Sequence, residues 1–560
     1  MAIDPKTAAG AGGAETTEHK LAAVTDEILH ERGKGFLGHP PGLFLLFIVE
    51  MWERFSYYGM RALLVLYLTS PTTGMLKKPD GAAPGFNPGP GWPDADAARL
   101  YGWYTGLAYL LPVIGGMIAD RLIGTHRSMV VGGVLIMAGH IALAVSGMGS
   151  FAHTALGMSV FIFGLALIVI GTGHFKPSVS VMVGELYGPE DPRRDGAFSI
   201  FYMGINMGAF LCAFVCGTLG EKVGWHWGFG SAAVGMALGL GIYLIGRPAA
   251  LRGIGDPPAG VANFAPLFLI GGTGLAALFA LLFHTGSLGA INNLMTPTTT
   301  VILAALVLGL ATWFVAAQKP GDRGPVATIF IFMMFNAFFW LAFEQAGSSM
   351  TLFTDRYTDA HVGSFEVPTS WFQSVNPFLI FIFAPVFAAM WTVLGRRGMN
   401  PSQPVKIALG LILLGLGFVV LVVGARTIRI GTAADPAAIL AKAGIVYVLG
   451  AYFFHTMGEL CLSPTGLSYV TKAAPVRFVS LLMGIWFVSS FIANLGGGLI
   501  AAQTEKLEKG ELKLPWNFSE GTGTVQADFF FLFVVTSIGA GLVILALTPL
   551  LKRLMRNPND

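Results

Sequence analysis

Charge is scarce in this 560-residue chain: Asp, Glu, Lys and Arg make up 12% of it, against 54% apolar residues, and mean hydropathy is +0.67. No soluble core needs such an apolar excess, so composition places the chain among polytopic membrane proteins. The formal net charge of +3 gives no reason to expect a nucleic-acid partner and leaves Lys and Arg to be read loop by loop for topology. Three cysteines build no disulfide framework. Cys212 and Cys216, four apart on an apolar helix face without nearby His or Asp, read as small packing residues and not as metal ligands. An intramembrane enzyme finds no support either, because there is no HExxH motif and no evident nucleophile–base pair. The first forty or so residues are polar, rich in Ala and Gly, and lack an apolar h-region; they are expected to form a loose cytoplasmic tail, not a cleaved signal peptide.

What is present is a series of apolar runs separated by Pro, Gly and charged residues. They predict an all-α protein with about fourteen transmembrane helices, near 43–69, 98–122, 128–147, 155–186, 195–220, 226–247, 264–284, 299–317, 325–354, 367–395, 403–424, 443–472, 477–503 and 525–552. An even count puts both termini on one side. With that side inside, the inner loops hold Arg121, Arg127, Arg193, Arg194, Arg247, Arg252, Lys319, Arg323, Arg396, Arg397, Lys472 and Arg477. With the tails, roughly 18 Lys and Arg lie inside against about 11 outside, which favours cytoplasmic N- and C-termini.

The spans divide into six, two and six. The middle pair, 264–284 and 299–317, contains no Asp, Glu, Lys or Arg and is expected to be a hydrophobic linker hairpin. The expected organisation is a tail over 1–42, a six-helix bundle over 43–247, a linker over 248–324, a second six-helix bundle over 325–553 and a tail over 554–560. Internal echoes support the division. Ile205-Asn206-Met207-Gly208 resembles Ala493-Asn494-Leu495-Gly496, and Lys176-Pro177-Ser178-Val179-Ser180 resembles Ser463-Pro464-Thr465-Gly466-Leu467-Ser468. Two such bundles are expected to handle substrate at their interface, as in transporters built from repeats.

The first span carries the most informative run, Glu50-Met51-Trp52-Glu53-Arg54-Phe55-Ser56-Tyr57-Tyr58-Gly59-Met60-Arg61. Four charges inside a bilayer are costly unless they pair or work. At 3.6 residues per turn, positions 50, 53, 54, 57, 58 and 61 share one face. The opposite face, Phe47, Ile48, Met51, Phe55, Ala62 and Val65, reads as lipid-compatible. Glu50 precedes Arg54 by four residues, the better orientation for a helical ion pair, so one carboxylate is neutralised locally and the other needs a proton or another partner. Glu50, Glu53 and Arg54 are therefore candidates for proton coupling; a static packing network is the alternative.

Elsewhere, Lys176 stands mid-span before Pro177, whose missing amide kinks the helix. His174 reads as a packing residue. In the second half, Asn336, Trp340 and Glu344 recur at four-residue spacing, as do His455, Glu459 and Ser463, with Pro464 after the last. Trp486, Ser490 and Asn494 share a face, and Asn376 immediately precedes Pro377. The unpaired cations Arg61 and Lys176 belong to the first bundle and the anions Glu344 and Glu459 to the second, so a cleft between the bundles carries a dipole. Opposite charges can close it by pairing, and a zwitterion can bridge them, carboxylate toward the cations and ammonium toward the anions. Tyr57, Tyr58, Tyr109, Trp340, Trp486 and Phe487 can supply tolerant apolar pockets. In the loop after the second span, Asp120 and Arg121 within Gly115-Gly116-Met117-Ile118-Ala119-Asp120-Arg121-Leu122-Ile123-Gly124 can form ion pairs that exist only when the inner side is closed.

That loop resembles the signature of the major facilitator superfamily. Other runs resemble the proton-dependent oligopeptide transporters within it: ExxERFSYYG at Glu50 to Gly59, Gly171-Thr172-Gly173-His174-Phe175-Lys176-Pro177, and Phe201-Tyr202-Met203-Gly204-Ile205-Asn206-Met207-Gly208. The likeness continues through Phe339-Trp340, Phe343-Glu344-Gln345, Ser370-Trp371-Phe372-Gln373-Ser374-Val375-Asn376-Pro377 and Gly458-Glu459-Leu460-Cys461-Leu462-Ser463-Pro464. The resemblance implies the major facilitator fold and proton-coupled symport of di- and tripeptides, with no cofactor beyond the proton gradient. It implies that Arg61 and Lys176 engage the peptide carboxylate, that Asn206, Asn376 and Glu459 engage the amino terminus, and that Tyr57, Tyr58, Tyr109, Trp340 and Trp486 shape the pocket. It also implies an outer gate of Arg61 with Glu344 and an inner gate of Lys176 with Glu459. The chain departs from the animal members, which carry a proton-linked histidine early in the second span; Gly102-Trp103-Tyr104 stands there instead. The two extra spans resemble bacterial members and point to an inner-membrane location. The alternatives are the same fold carrying another anion such as nitrate, and a peptide receptor without transport.

Overall fold

A computed structural model describes residues 35–72, 87–188, 191–257, 262–292, 297–431, 439–475 and 478–555. Most of both expected tails, and Arg477 among the loop cations, lie outside the described residues. The apolar runs form fourteen long helices: α1 Pro41–Thr69, α2 Asp94–Ile118, α3 Thr125–Val145, α4 Ala155–Glu185, α5 Arg194–Cys212, α6 Trp225–Ala250, α7 Ala265–His284, α8 Pro297–Ala316, α9 Pro320–Phe343, α10 Val375–Arg396, α11 Gln403–Ala425, α12 Ile445–Ala473, α13 Val479–Ala501 and α14 Gln526–Leu554. Among the described residues, twelve helices are long and apolar enough to cross a membrane. The remaining two are α1, whose 29 residues include four charges, and α8, 20 residues without a charge. Proline at the first or second position starts α1, α7, α9 and α11, where its missing amide leaves no bond unmade. Two helices are extended by wider turns, α2 through Ala119–Ile123 and α5 through Ala213–Gly217 and Leu219–Val223.

Helices α1–α6 form one bundle and α9–α14 the other. Between them α2 packs on α13 and α5 on α10; in each pair the second helix of one bundle meets the fifth of the other, the reciprocity that the internal echoes suggest. The α2–α13 contact is backbone against backbone. A Cβ built on Gly102 would lie 3.0 Å from Gly498 Cα and 3.1 Å from the Asn494 carbonyl oxygen. That close approach accounts for glycine at position 102. The linker helix α7 lies outside the bundles against α3 and α4, pinned by a Ser159–His284 hydrogen bond of 2.9 Å and by Phe268 against His174. His174 is thus a packing residue, its Nδ1 3.1 Å from Ser128 Oγ. The cysteines are free and buried.

One expectation is corrected. Of the α1 face opposite the charges, Phe55, Ala62 and Val65 do not meet lipid, being 5%, 2% and 1% exposed, whereas Phe47, Ile48 and Met51 are half-buried. Helix α1 packs against both α5 and α6, and the glycines of those helices let it sink between them. Apolarity alone does not distinguish lipid from protein as a neighbour. The core of this bundle falls into two clusters, one around Tyr67, Phe161 and Phe229 and one around Leu43, Met182 and Tyr243. Glu50, Glu53 and Arg54 of α1 sit at the break between them. We call the end of the bundles that holds residues 41 and 554 the tail side and the other the far side.

Candidate substrate cleft and gates

The stripe on α1 splits into two rows. Glu50, Arg54, Tyr58 and Arg61, at spacings of four, four and three, line a cleft between the bundles, whereas Glu53 and Tyr57, rotated to one side, are buried behind its wall. Arg54 Nε lies 2.9 Å from Glu50 Oε1 and 2.5 Å from Glu53 Oε2. These are charge contacts without hydrogen-bond alignment: both Glu53 oxygens, Glu50 Oε2 and Arg54 Nε and Nη2 have no hydrogen-bond partner among the described residues. One guanidinium therefore serves two buried carboxylates, which leaves the trio with one negative charge more than positive when all three are ionised. Tyr57 stacks on Tyr104, ring centroids 6.0 Å apart, and Arg54 lies 5.4 Å from the Tyr57 ring.

The cleft encloses about 380 Å³, within the range of small-molecule sites. Tyr109, Lys176 and Asn206 line it from α2, α4 and α5; Trp340, Asn376, Glu459, Ser463 and Trp486 line it from the second bundle. Every candidate substrate-binding residue except Tyr57 is thus brought to one cavity. Lys176 Nζ rests 4.0 Å from the centre of the Tyr109 ring, a cation–π contact. Glu459 Oε2 accepts a hydrogen bond of 2.8 Å from Asn376 Nδ2, which also donates to Thr456 Oγ1 at 3.0 Å. Asn206 Nδ2 donates to the Tyr202 carbonyl, and Trp340 Nε1 donates to Asn336 Oδ1 at 3.2 Å. Ser463 Oγ is buried without a partner among the described residues.

The two implied gates differ in state. Arg61 Nη2 meets Glu344 Oε2 at 2.8 Å across the bundle interface, and both side chains are buried. No ion pair joins Lys176 to Glu459 among the described residues. Asp120 and Arg121, exposed in the wide turn that ends α2, likewise pair with no opposite charge among the described residues. The far-side pair is made, and the tail-side charge contacts are unmade among the described residues. Sequence reasoning missed Tyr101, whose hydroxyl accepts from Arg61 Nε at 2.7 Å and donates to Glu344 Oε2 at 3.3 Å. A signal was there: Tyr101, Thr105 and Tyr109 recur at four-residue spacing on α2.

A family model described as "POT family" matches residues 126–516. The chain belongs to the POT family. As a member it is a multi-pass membrane transporter and not an enzyme. It is 36% identical over 534 residues to "Uncharacterized transporter YclF" of Bacillus subtilis (strain 168), with 93% of this chain and 96% of that one covered. To "Peptide transporter YePEPT" of Yersinia enterocolitica subsp. palearctica serotype O:3 (strain YE-P4) it is 35% identical over 538 residues, covering 94% and 97%. Among solved structures, that of a peptide transporter POT in complex with sulfate matches with a TM-score of 0.73 at 35% identity, covering 93% of this chain and 97% of that one. Among the described residues no group of three or more His, Cys, Asp or Glu is placed to hold a metal ion.

Proposed function

We propose that this POT family member is a proton-coupled symporter of di- and tripeptides, working by alternating access in a bacterial inner membrane. One observation carries the substrate class: Lys176 and Glu459, opposite charges from opposite bundles, line the same cleft and are not paired with each other. A zwitterion supplies what both lack, its carboxylate to Lys176 and its ammonium to Glu459, Asn376 and Asn206. A simple anion such as nitrate leaves Glu459 without a cation, and a receptor leaves the Glu50, Glu53 and Arg54 trio without a task. The likeness to a relative named a peptide transporter supports the same reading. The aromatic wall of Tyr58, Tyr109, Trp340 and Trp486 suits variable side chains.

In this reading, the tail side faces the cytoplasm, as the loop charges favour, and the structure is the inward-facing member of the cycle. Arg61 with Glu344 is the outer gate, Lys176 with Glu459 the inner gate, and Asp120 and Arg121 pair when the inner side closes. The two bundles over 43–247 and 325–553 rock about the cleft, with 248–324 as a linker in the bilayer. Dipeptide added to vesicles holding the protein is expected to drive proton uptake. Peptide exchange without proton movement would reject coupling, and nitrate-driven proton uptake without a peptide response would favour the alternative.

A further inference from the structure

The run Ser370-Trp371-Phe372-Gln373-Ser374 lies outside both implied gates, yet the structure engages it closely. Thr369–Ser374 forms a tight 3-10 helix on the far side, leading directly into α10. Across the bundle interface it meets the wide turn Leu219–Val223 that extends α5. Glu221 in that turn uses both carboxylate oxygens: Oε2 accepts from the Thr369 amide at 2.9 Å and Oε1 from the Ser370 amide at 2.7 Å. A carboxylate on two free amides at a helix start gains charge-assisted bonds as well as the positive end of the local dipole. Trp371 Nε1 donates to Thr218 Oγ1 at 2.9 Å, Ser374 Oγ donates to the Phe210 carbonyl at 2.7 Å, and the Trp371 ring packs on Phe214 at 4.7 Å. The approach is so close that a Cβ on Gly217 would overlap the Ser370 hydroxyl.

We infer that Glu221 is a second far-side latch, holding the 3-10 helix of one bundle onto α5 of the other, independent of Arg61 and Glu344. It rests on the alternating-access reading above and deepens it. The wide turns of α5 aim the carboxylate across the interface, a common use of such local widening. The latch also reaches the substrate site. Gln373, inside the clamped helix, and Asn376, two residues past Ser374 and bonded to Glu459, both line the cleft. Releasing the clamp when the far side opens therefore shifts the groups proposed to receive the peptide amino terminus. Glu221 is a positioning residue: it contacts the 3-10 helix that leads into Asn376, not the peptide.

The test uses the full-length protein in cells, with Cys212, Cys216 and Cys461 replaced and a reporter Ala346→Cys in the cleft beside the far-side gate. A membrane-impermeant maleimide is added outside, without peptide. Glu221→Ala removes two charge-assisted bonds, so far-side labelling is expected to rise on the order of tenfold. Trp371→Phe, which loses the indole donor and keeps most of the packing, is expected to raise labelling in the same direction by a smaller factor. Lys222→Ala, whose partner Glu366 is exposed, should leave labelling at the parent level. Unchanged labelling in both Glu221→Ala and Trp371→Phe would overturn the latch. Glu344→Ala runs alongside: if it raises labelling while the other two do not, only the latch fails, and if none does, the far-side gating reading fails with it.

Discussion

Arg61 and Glu344 meet 2.8 Å apart across the interface between the two bundles, with 8% and 3% of their surfaces exposed. A buried pair of this kind closes a far-side path only while both members are present. Glu344→Ala leaves the guanidinium buried without its carboxylate, a loss of about 3–5 kcal/mol from the far-side-closed state. Far-side cysteine labelling should therefore increase and tail-side labelling decrease. Tyr101→Phe keeps the ion pair but leaves Arg61 Nε without its acceptor, worth about 1–3 kcal/mol, so it should shift the same balance less. Equal labelling in Tyr101→Phe and the parent would show that the phenol only fills space.

Coupling is expected to depend on the count of charges around Arg54. With one guanidinium between two buried carboxylates, adding a proton neutralises one and frees Arg54 from its double duty. In the coupled cycle proposed above the proton binds before inward movement, so accumulation by the parent should rise as outside pH falls. Glu53→Gln, or Glu50→Gln, fixes one side of that equilibrium. Accumulation should then lose its acid dependence while peptide exchange continues. A double variant with full acid-driven uptake would reject the assignment.

Gly102 gives a prediction of a different kind, because its constraint is steric. With Gly498 Cα 3.0 Å from the position of a Cβ, Gly102→Ala forces α2 and α13 apart by a few tenths of an ångström. Overpacking of this kind costs about 1–3 kcal/mol. A histidine there needs far more room, so Gly102→His should lower the unfolding temperature strongly. A Gly102→His protein as stable as the parent would mean that the two helices have slack at this point.

The fourteen helices were legible because each is a long apolar run bounded by Pro, Gly or charge; most of their ends fall within a few residues of the expected ones, but α9 ends at Phe343 and not near 354, α10 starts at Val375 and not near 367, and α5 gives way to wider turns after Cys212. The polar stripes were legible for the same reason: four-residue spacing on α9, α12 and α13 leaves few faces for Asn336, Glu459 or Asn494 to occupy. What periodicity does not encode is the neighbour. It grouped Tyr57 with Tyr58, yet a rotation of about 100° per residue puts one behind the wall and the other in the cleft. It read the face of α1 opposite the charges as lipid-compatible, yet Phe55, Ala62 and Val65 on that face are buried. Tyr101 and Glu221 escaped because each acquires its role from partners more than a hundred residues away in sequence.

Recognition of the two peptide ends follows from the charges left unpaired in the cleft. Arg61 is held by Glu344 and Tyr101, so in the proposed cycle Lys176, resting on the Tyr109 ring, is the cation expected to meet the carboxylate in this state, with Arg61 joining it when the far side opens. Glu459, already oriented by Asn376, faces the ammonium. Losing either charge-assisted contact in this partly desolvated cleft costs roughly 1.5–3 kcal/mol, on the order of ten- to a hundredfold in affinity. For the parent, C-terminal amidation and N-terminal acetylation of a dipeptide should each weaken competition by about that factor. In Lys176→Ala the amidation penalty should shrink while the acetylation penalty stays, and in Glu459→Gln the reverse should hold. Arg61→Lys should also reduce the amidation penalty, because an ammonium does not reproduce the planar fork that fits a carboxylate. If Lys176→Ala and Glu459→Gln both retain both penalties in full, the peptide does not lie between these two charges, and its ends belong to other helices of the cleft.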